Sequence, residues 1–199
     1  MFVAIEGIDG SGKTFLASGL ARAIADLGHS VYLTREPTQR MKRDAALERS
    51  RDPLDAMKLF FDFTIDRISH QKEILLEMSR NEIVISDRYL YSSLAYQGVL
   101  IEGYFKNKGE AMEWMDCINR AISVRPDINI ILDIEPRKAM ERIRRRDHMG
   151  GFEDEAFLRS VRDRYLLIRN SKDIVINAEN PPDAVIKEAL GEIKRIMRW

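Results

Sequence analysis

The chain has 199 residues, 45% of them hydrophobic and 32% charged, which suits one medium-sized domain with its own core. Its 32 basic and 32 acidic residues cancel, which argues against a general nucleic-acid or membrane-surface binder, because such binding draws on net positive charge. A single cysteine, Cys117, excludes an internal disulfide, and no apolar run approaches the length of a membrane span.

The apolar run Phe2-Val3-Ala4-Ile5 is the first expected strand. It leads into Gly7-Ile8-Asp9-Gly10-Ser11-Gly12-Lys13-Thr14, and then into a helical pattern over Lys13–Leu27 that ends at Gly28. Strand, glycine loop and helix in that order form a phosphate-binding loop. Backbone N–H groups at a helix N-terminus wrap phosphate, Lys13 reaches the β/γ-phosphates of a nucleotide, and the Thr14 hydroxyl ligates Mg²⁺. This motif starts almost at the first residue and leaves no room for a signal peptide, so cytoplasm is the expected location.

A second strand is expected over Ser30–Thr34. The polar, arginine-rich stretch Gln39–Asp52 that follows is expected to be mobile. A long helix over Asp55–Ser79 places Phe63 and Arg67 on one face, four residues apart. A ring and a guanidinium there suit a nucleobase, but spacing alone equally allows a core aromatic beside a surface Asp66-Arg67 pair. The strand Ile83–Ser86 runs into Asp87-Arg88-Tyr89. A carboxylate at such a strand end holds Mg²⁺, usually through water. Asp87 takes that role ahead of Asp133, because Arg88 beside it brings a cation to the phosphates. Ser92, Ser93, Tyr96 and Gln97 follow, either as polar groups at the crevice or as a plain helix stopped by Gly98.

Cys117 sits on an expected helix over Glu110–Ser123, as a buried thiol. Ile128–Ile134 is the fourth strand, with Asp133 as a structural acid at its end. The helix Pro136–Arg146 carries Arg142, Arg144, Arg145 and Arg146 opposite or beside its apolar stripe of Ala139, Met140 and Ile143. It is either a solvated basic face or a lid hinged at Gly150-Gly151. Helices over Glu153–Asn170 and Asp183–Met197 flank a weaker strand, Asp173–Asn177. Strands alternating with helices predict an α/β doubly wound parallel sheet. Its ligand crevice lies beyond Glu6, Thr34, Ser86 and Asn177, at the strand carboxyl ends.

Together these segments resemble the thymidylate kinases, a branch of the P-loop nucleoside monophosphate kinases, over nearly the whole chain. The matching residues are Glu6 to Thr14, Arg35-Glu36-Pro37, Leu59-Phe60…Asp66-Arg67…His70, Asp87-Arg88-Tyr89…Ser92-Ser93…Tyr96-Gln97-Gly98, and Arg142…Arg146…Phe152-Glu153. The resemblance implies a three-layer fold, a five-stranded parallel sheet between helices, as one domain over 1–199 with a small arginine-rich lid at about 142–154. It implies ATP-dependent phosphorylation of dTMP, and usually a homodimer. By the same resemblance Asp9 meets the sugar 3′-hydroxyl, Phe63 is the thymine platform, and Arg67 donates to thymine O4. Ser92, Ser93 and Gln97 lie near the base, Tyr96 packs under the deoxyribose, and Arg88 clamps the acceptor phosphate. Asn177-Ala178 matches the loop beside the donor adenine, and His70 is structural. Arg35 and Glu36 are assigned to the acceptor's binding site, and Thr38-Gln39 stands where relatives often have two glycines. Glycine at position 10 fits the members whose catalytic arginine comes from the lid, here Arg142 or Arg146.

Rival readings are a kinase for dUMP, UMP or CMP, a GTP-binding switch, and a nucleotide-binding protein without turnover. The switch needs Asn-Lys-any-Asp after a strand, whereas Asn107-Lys108-Gly109-Glu110 ends in Glu and follows no clear strand.

Overall fold

The computed structural model describes residues 1–42, 44–146 and 154–199, without the side chain of Arg146. The expected glycine hinge Gly150-Gly151, the pair Phe152-Glu153 and the Arg146 side chain lie outside the described residues. Five strands form one parallel sheet in the order β2-β3-β1-β4-β5: β1 (Phe2–Gly7), β2 (Val31–Arg35), β3 (Ile83–Asp87), β4 (Ile128–Asp133) and β5 (Ile174–Asn177). The helices are α1 (Lys13–Asp26), α2 (Ala45–Arg49), α3 (Pro53–Met78), α4 (Leu90–Ile101), α5 (Lys108–Asn119), α6 (Pro136–Arg146), α7 (Glu155–Ile168) and α8 (Pro182–Met197).

The predicted strands appear, with ends displaced by about one residue. Residues of β1 and β3 are buried throughout, as a strand covered on both faces requires. The chain runs from β1 to β2 and β3 on one side, and later to β4 and β5 on the other. Strand order therefore reverses at β1, which opens a crevice beyond its carboxyl end. The phosphate-binding loop fills that point.

Two local expectations are corrected, and one stretch gains an element. Gly98 does not stop α4, which runs on to Ile101; the glycine packs against Met115 of α5 instead. Gln39–Asp52 contains α2, whose first amides are capped by the Asp44 carboxylate. Cys117 is exposed, not buried. The inward residues of α5 are Ala111, Met115 and Asn119, and a position two beyond Met115 points roughly 200° away.

Candidate active site

Two glycines fix the loop after β1. A Cβ on Gly7 would sit 2.6 Å from the Leu132 carbonyl oxygen, and one on Gly10 would sit 2.4 Å from that of Ala139 in α6. Their φ angles are +139° and +81°, so both sterics and backbone conformation demand glycine. A side chain at position 10 would push α6 off the loop. The Lys13 ammonium folds back to donate to the carbonyls of Gly7 at 2.9 Å and Ile8 at 2.8 Å, and it lies 3.5 Å from the Asp9 carboxylate.

Thr14 donates its hydroxyl to Asp87 Oδ2 at 2.6 Å, which joins the start of α1 to the end of β3. The other oxygen, Asp87 Oδ1, is buried without a partner among the described residues. A hydroxyl and a carboxylate side by side are hard oxygen donors of the kind Mg²⁺ accepts. Asp133 plays a different part: it pairs with Arg162 of α7 at 2.5 Å, the structural role expected of it.

Arg88 adopts φ +75°, a left-handed backbone that costs energy for a side-chain-bearing residue. Its amide donates to the Ile5 carbonyl, and the Arg88 carbonyl accepts from Ser86 Oγ. The guanidinium is thereby turned into the crevice, where it pairs with Asp9, donates to Ser92 Oγ at 3.2 Å and lies 5.4 Å from the centre of the Tyr96 ring. Tyr96 in turn accepts the Asp9 amide at 2.6 Å.

Under this group lies Glu6, fully buried, which accepts from the Tyr89 amide, the Ser92 hydroxyl and the Tyr165 hydroxyl. Burial is the largest influence on it and holds its carboxyl above the 4.5 of an unperturbed glutamate, while Ser92, Arg88, the Tyr89 amide and Arg67 act the other way. Native Glu6 thus keeps its proton to higher pH than unfolded Glu6 does. Its contribution to stability is complete below the unfolded value and is lost as pH rises through the folded one. Glu6→Gln should flatten the fall in stability above about pH 4 in a series of urea melts. An unchanged slope would assign that fall to other groups.

Along α3, Phe60, Phe63, Arg67, His70 and Ile74 share one register, and Arg67 is 1% exposed. It is not part of a surface pair, the alternative that spacing left open. Its Nε donates to Glu36 at 2.7 Å, and its Nη2 donates to the Tyr89 carbonyl and Ser93 Oγ. Its Nη1 is buried without a partner among the described residues. Neighbouring Asp66 takes both the amide and the hydroxyl of Thr38, so the residue that replaces a glycine pins the loop after β2 to α3.

These groups border one cleft of about 630 Å³. Its lining includes Asp9, Gly10, Gly12, Lys13, Thr14, Arg35, Glu36, Phe63, Arg67, Asp87, Arg88, Ser92, Ser93, Tyr96 and Gln97, all nominated from the sequence. Gly7 and Ile8 lie behind it and offer their carbonyls to Lys13. Asn177 and Ala178 are not in its lining. They sit at the end of β5, where the Ala178 carbonyl accepts from Arg142 at 2.8 Å.

A family model described as thymidylate kinase matches residues 5–189. The chain belongs to the thymidylate kinase family. It is 42% identical over 194 residues to a protein named probable thymidylate kinase from Thermoplasma acidophilum, covering 97% of this chain and 95% of that one. Proteins of the same name from Thermoplasma volcanium and Picrophilus torridus are 38% and 41% identical, with 94% and 96% of this chain and 94% of each relative covered.

Within this thymidylate kinase chain, the sequence reading missed part of the cleft wall. Leu47, Arg49 and Arg51, on and after α2, line it, as does Phe157 of α7. The Arg51 guanidinium lies 4.0 Å from the centre of the Phe157 ring, and that ring meets Tyr96 edge-on. The sequence signal is the arginine content of Gln39–Asp52, a stretch expected only to be mobile.

Proposed function

We propose that this chain transfers the γ-phosphoryl group of ATP to dTMP, giving dTDP and ADP for dTTP synthesis. One observation carries the reading. Asp87 Oδ1 and Arg67 Nη1, two of the few buried side-chain atoms without a partner among the described residues, both belong to residues lining the cleft, and Ser11 Oγ lies on the loop at its base. Buried polar atoms are normally satisfied, so unsatisfied ones grouped at a cleft point to a polar ligand. The three fit, in turn, a hydrated metal ion, a nucleobase carbonyl and a phosphate.

In this reading the loop amides and Lys13 take the ATP phosphates, and Lys13 exchanges the Gly7 and Ile8 carbonyls for phosphate oxygens. Thr14 and Asp87 would hold Mg²⁺, whose charge offsets that on the β- and γ-phosphates. Arg88 grips the acceptor phosphate, with Asp9 and Ser92 fixing its direction. The reaction then needs alignment and charge neutralisation more than covalent chemistry. The proposed domain is a single P-loop kinase unit with a lid over about 142–154, and Arg142 and Arg146 are its proposed catalytic arginines. Asn177 and Ala178 are assigned to the adenine side, which places Arg142 beside the donor.

Phe63 is the proposed thymine platform. Phe63→Ala should weaken dTMP binding by about 1–3 kcal/mol in calorimetry, the usual worth of base stacking. Unchanged affinity would remove the platform. We further propose a cytoplasmic homodimer without nucleic-acid or membrane partners; among the described residues no helix is long and apolar enough to cross a membrane. Phe61, Ile65, Ile68 and Leu75 form an exposed apolar row on α3, and Ile65 is 63% exposed. A second copy is its natural cover. Ile65→Asp should shift the mass in light scattering from dimer to monomer, whereas a wild-type monomer would refute the dimer.

The function is tested by ADP release across an acceptor panel of dTMP, dUMP, dCMP, UMP and CMP. The reading requires dTMP to have the highest kcat/KM, and equal turnover of ribonucleotides would refute it. A GTP switch has little support here: the Asn107 side chain is committed to capping α5 through the Glu110 amide.

A further inference from the structure

Glu36, assigned to the acceptor's binding site, lines the cleft beside Arg67. Its role there rests on the reading above. We infer that Glu36 is a positioning residue that sets acceptor-base selectivity through Arg67, and that His70 and Thr34 extend its hold.

The argument starts with hydrogen-bond capacity. A guanidinium has five N–H donors in a fixed plane. The Nε and Nη2 edge of Arg67 is spent on Glu36 Oε2, the Tyr89 carbonyl and Ser93 Oγ. Nη1 alone is left, buried in the wall of the cleft. Arg67 therefore offers the acceptor a single edge in a single orientation. Such a group donates to a ring carbonyl but meets an exocyclic amino group donor to donor, which is costly in a buried site.

Glu36 fixes that orientation. Its side chain is 3% exposed, against 1% for Arg67. Its second oxygen, Oε1, is held by His70 Nδ1 at 3.0 Å, and His70 Nε2 meets the Thr34 hydroxyl at 2.7 Å. Since a carboxylate only accepts, His70 carries its hydrogen on Nδ1. The chain Thr34–His70–Glu36–Arg67 thus runs from β2 to the base-facing nitrogen and leaves the carboxylate no freedom to rotate. Glu36 also balances the Arg67 charge, so the base subsite is close to neutral. A neutral subsite selects by donor and acceptor pattern, and the cationic grip on phosphate is left to Arg88.

The test compares wild type, Glu36→Gln and Thr34→Val with dTMP and dCMP as acceptors and ATP as donor. Glutamine keeps the shape but presents an amino group to Arg67 or His70. Glu36→Gln should raise KM for dTMP about tenfold or more and shrink the dTMP:dCMP ratio of kcat/KM by a similar factor. KM for ATP should stay within about twofold. Because Glu36→Gln disturbs a buried pair on which folding also draws, Thr34→Val tests the same chain from its far end. It should move the same two quantities severalfold in the same direction, with kcat and ATP binding preserved. If folded Thr34→Val and Glu36→Gln both keep the wild-type selectivity ratio, or if KM for ATP rises in parallel, the positioning role is overturned. A wild type that does not phosphorylate dTMP would instead refute the proposed function.

Discussion

Replacing Lys13 with alanine should lower kcat for dTMP phosphorylation about 10²-fold or more, the scale of losing one preorganised charge donor at a transition state. Lys13 is only 5% exposed, and its ammonium already sits among the loop carbonyls of Gly7 and Ile8 beside Asp9. It has little distance to travel to reach a phosphate held by the same loop. Arg88, which shares the Asp9 carboxylate with Lys13, is turned by its backbone toward Asp9 and Ser92, so it cannot replace Lys13 without abandoning the acceptor side. Single-turnover rates with saturating ATP separate this loss from weaker donor binding. A near-normal rate in Lys13→Ala would remove the residue from the mechanism.

Arg67→Met should destabilise the fold by about 3–5 kcal/mol, the cost of leaving one member of a buried ion pair behind. Methionine fills the volume of the aliphatic stem, so cavity formation contributes little. What remains is the Glu36 carboxylate, buried and facing only His70, together with the Tyr89 carbonyl and the Ser93 hydroxyl stripped of a donor. Urea melts at constant pH measure the loss directly. A change below about 1 kcal/mol would mean that Glu36 relaxes to solvent or to another donor, contrary to its burial. The double variant Arg67→Met with Glu36→Gln should recover part of the loss, because it removes the stranded charge.

The fold was largely legible in the sequence because its signals are local. Short apolar strands between helical stretches, one glycine-rich turn and an acid at the end of β3 each depend on a few adjacent residues. The residues proposed to hold phosphate form a local pattern of the same kind. Arg67 was harder to read. Its register with Phe60, Phe63, His70 and Ile74 places a charge in the inward row of α3, and periodicity gives no sign of the Glu36 that makes this tolerable. That partner lies 31 residues away on another element. Arg49 and Arg51 escaped notice because only the packing of α2 against α3 brings them to the cleft. The buried face assigned to Cys117 was an error of phase on α5, where charged and apolar residues alternate closely enough to allow either side.

The central claim is that donor and acceptor lie tail to tail between Lys13 and Arg88. A crystal structure with adenosine and thymidine joined 5′ to 5′ through a chain of phosphates tests it most directly. The account requires the adenosine-side phosphates in the loop against Lys13, the thymidine-side phosphate on Arg88, and thymine on Phe63 with O4 within hydrogen-bond reach of Arg67 Nη1. Thymine bound outside the cleft, or phosphates that bypass Arg88, would contradict it.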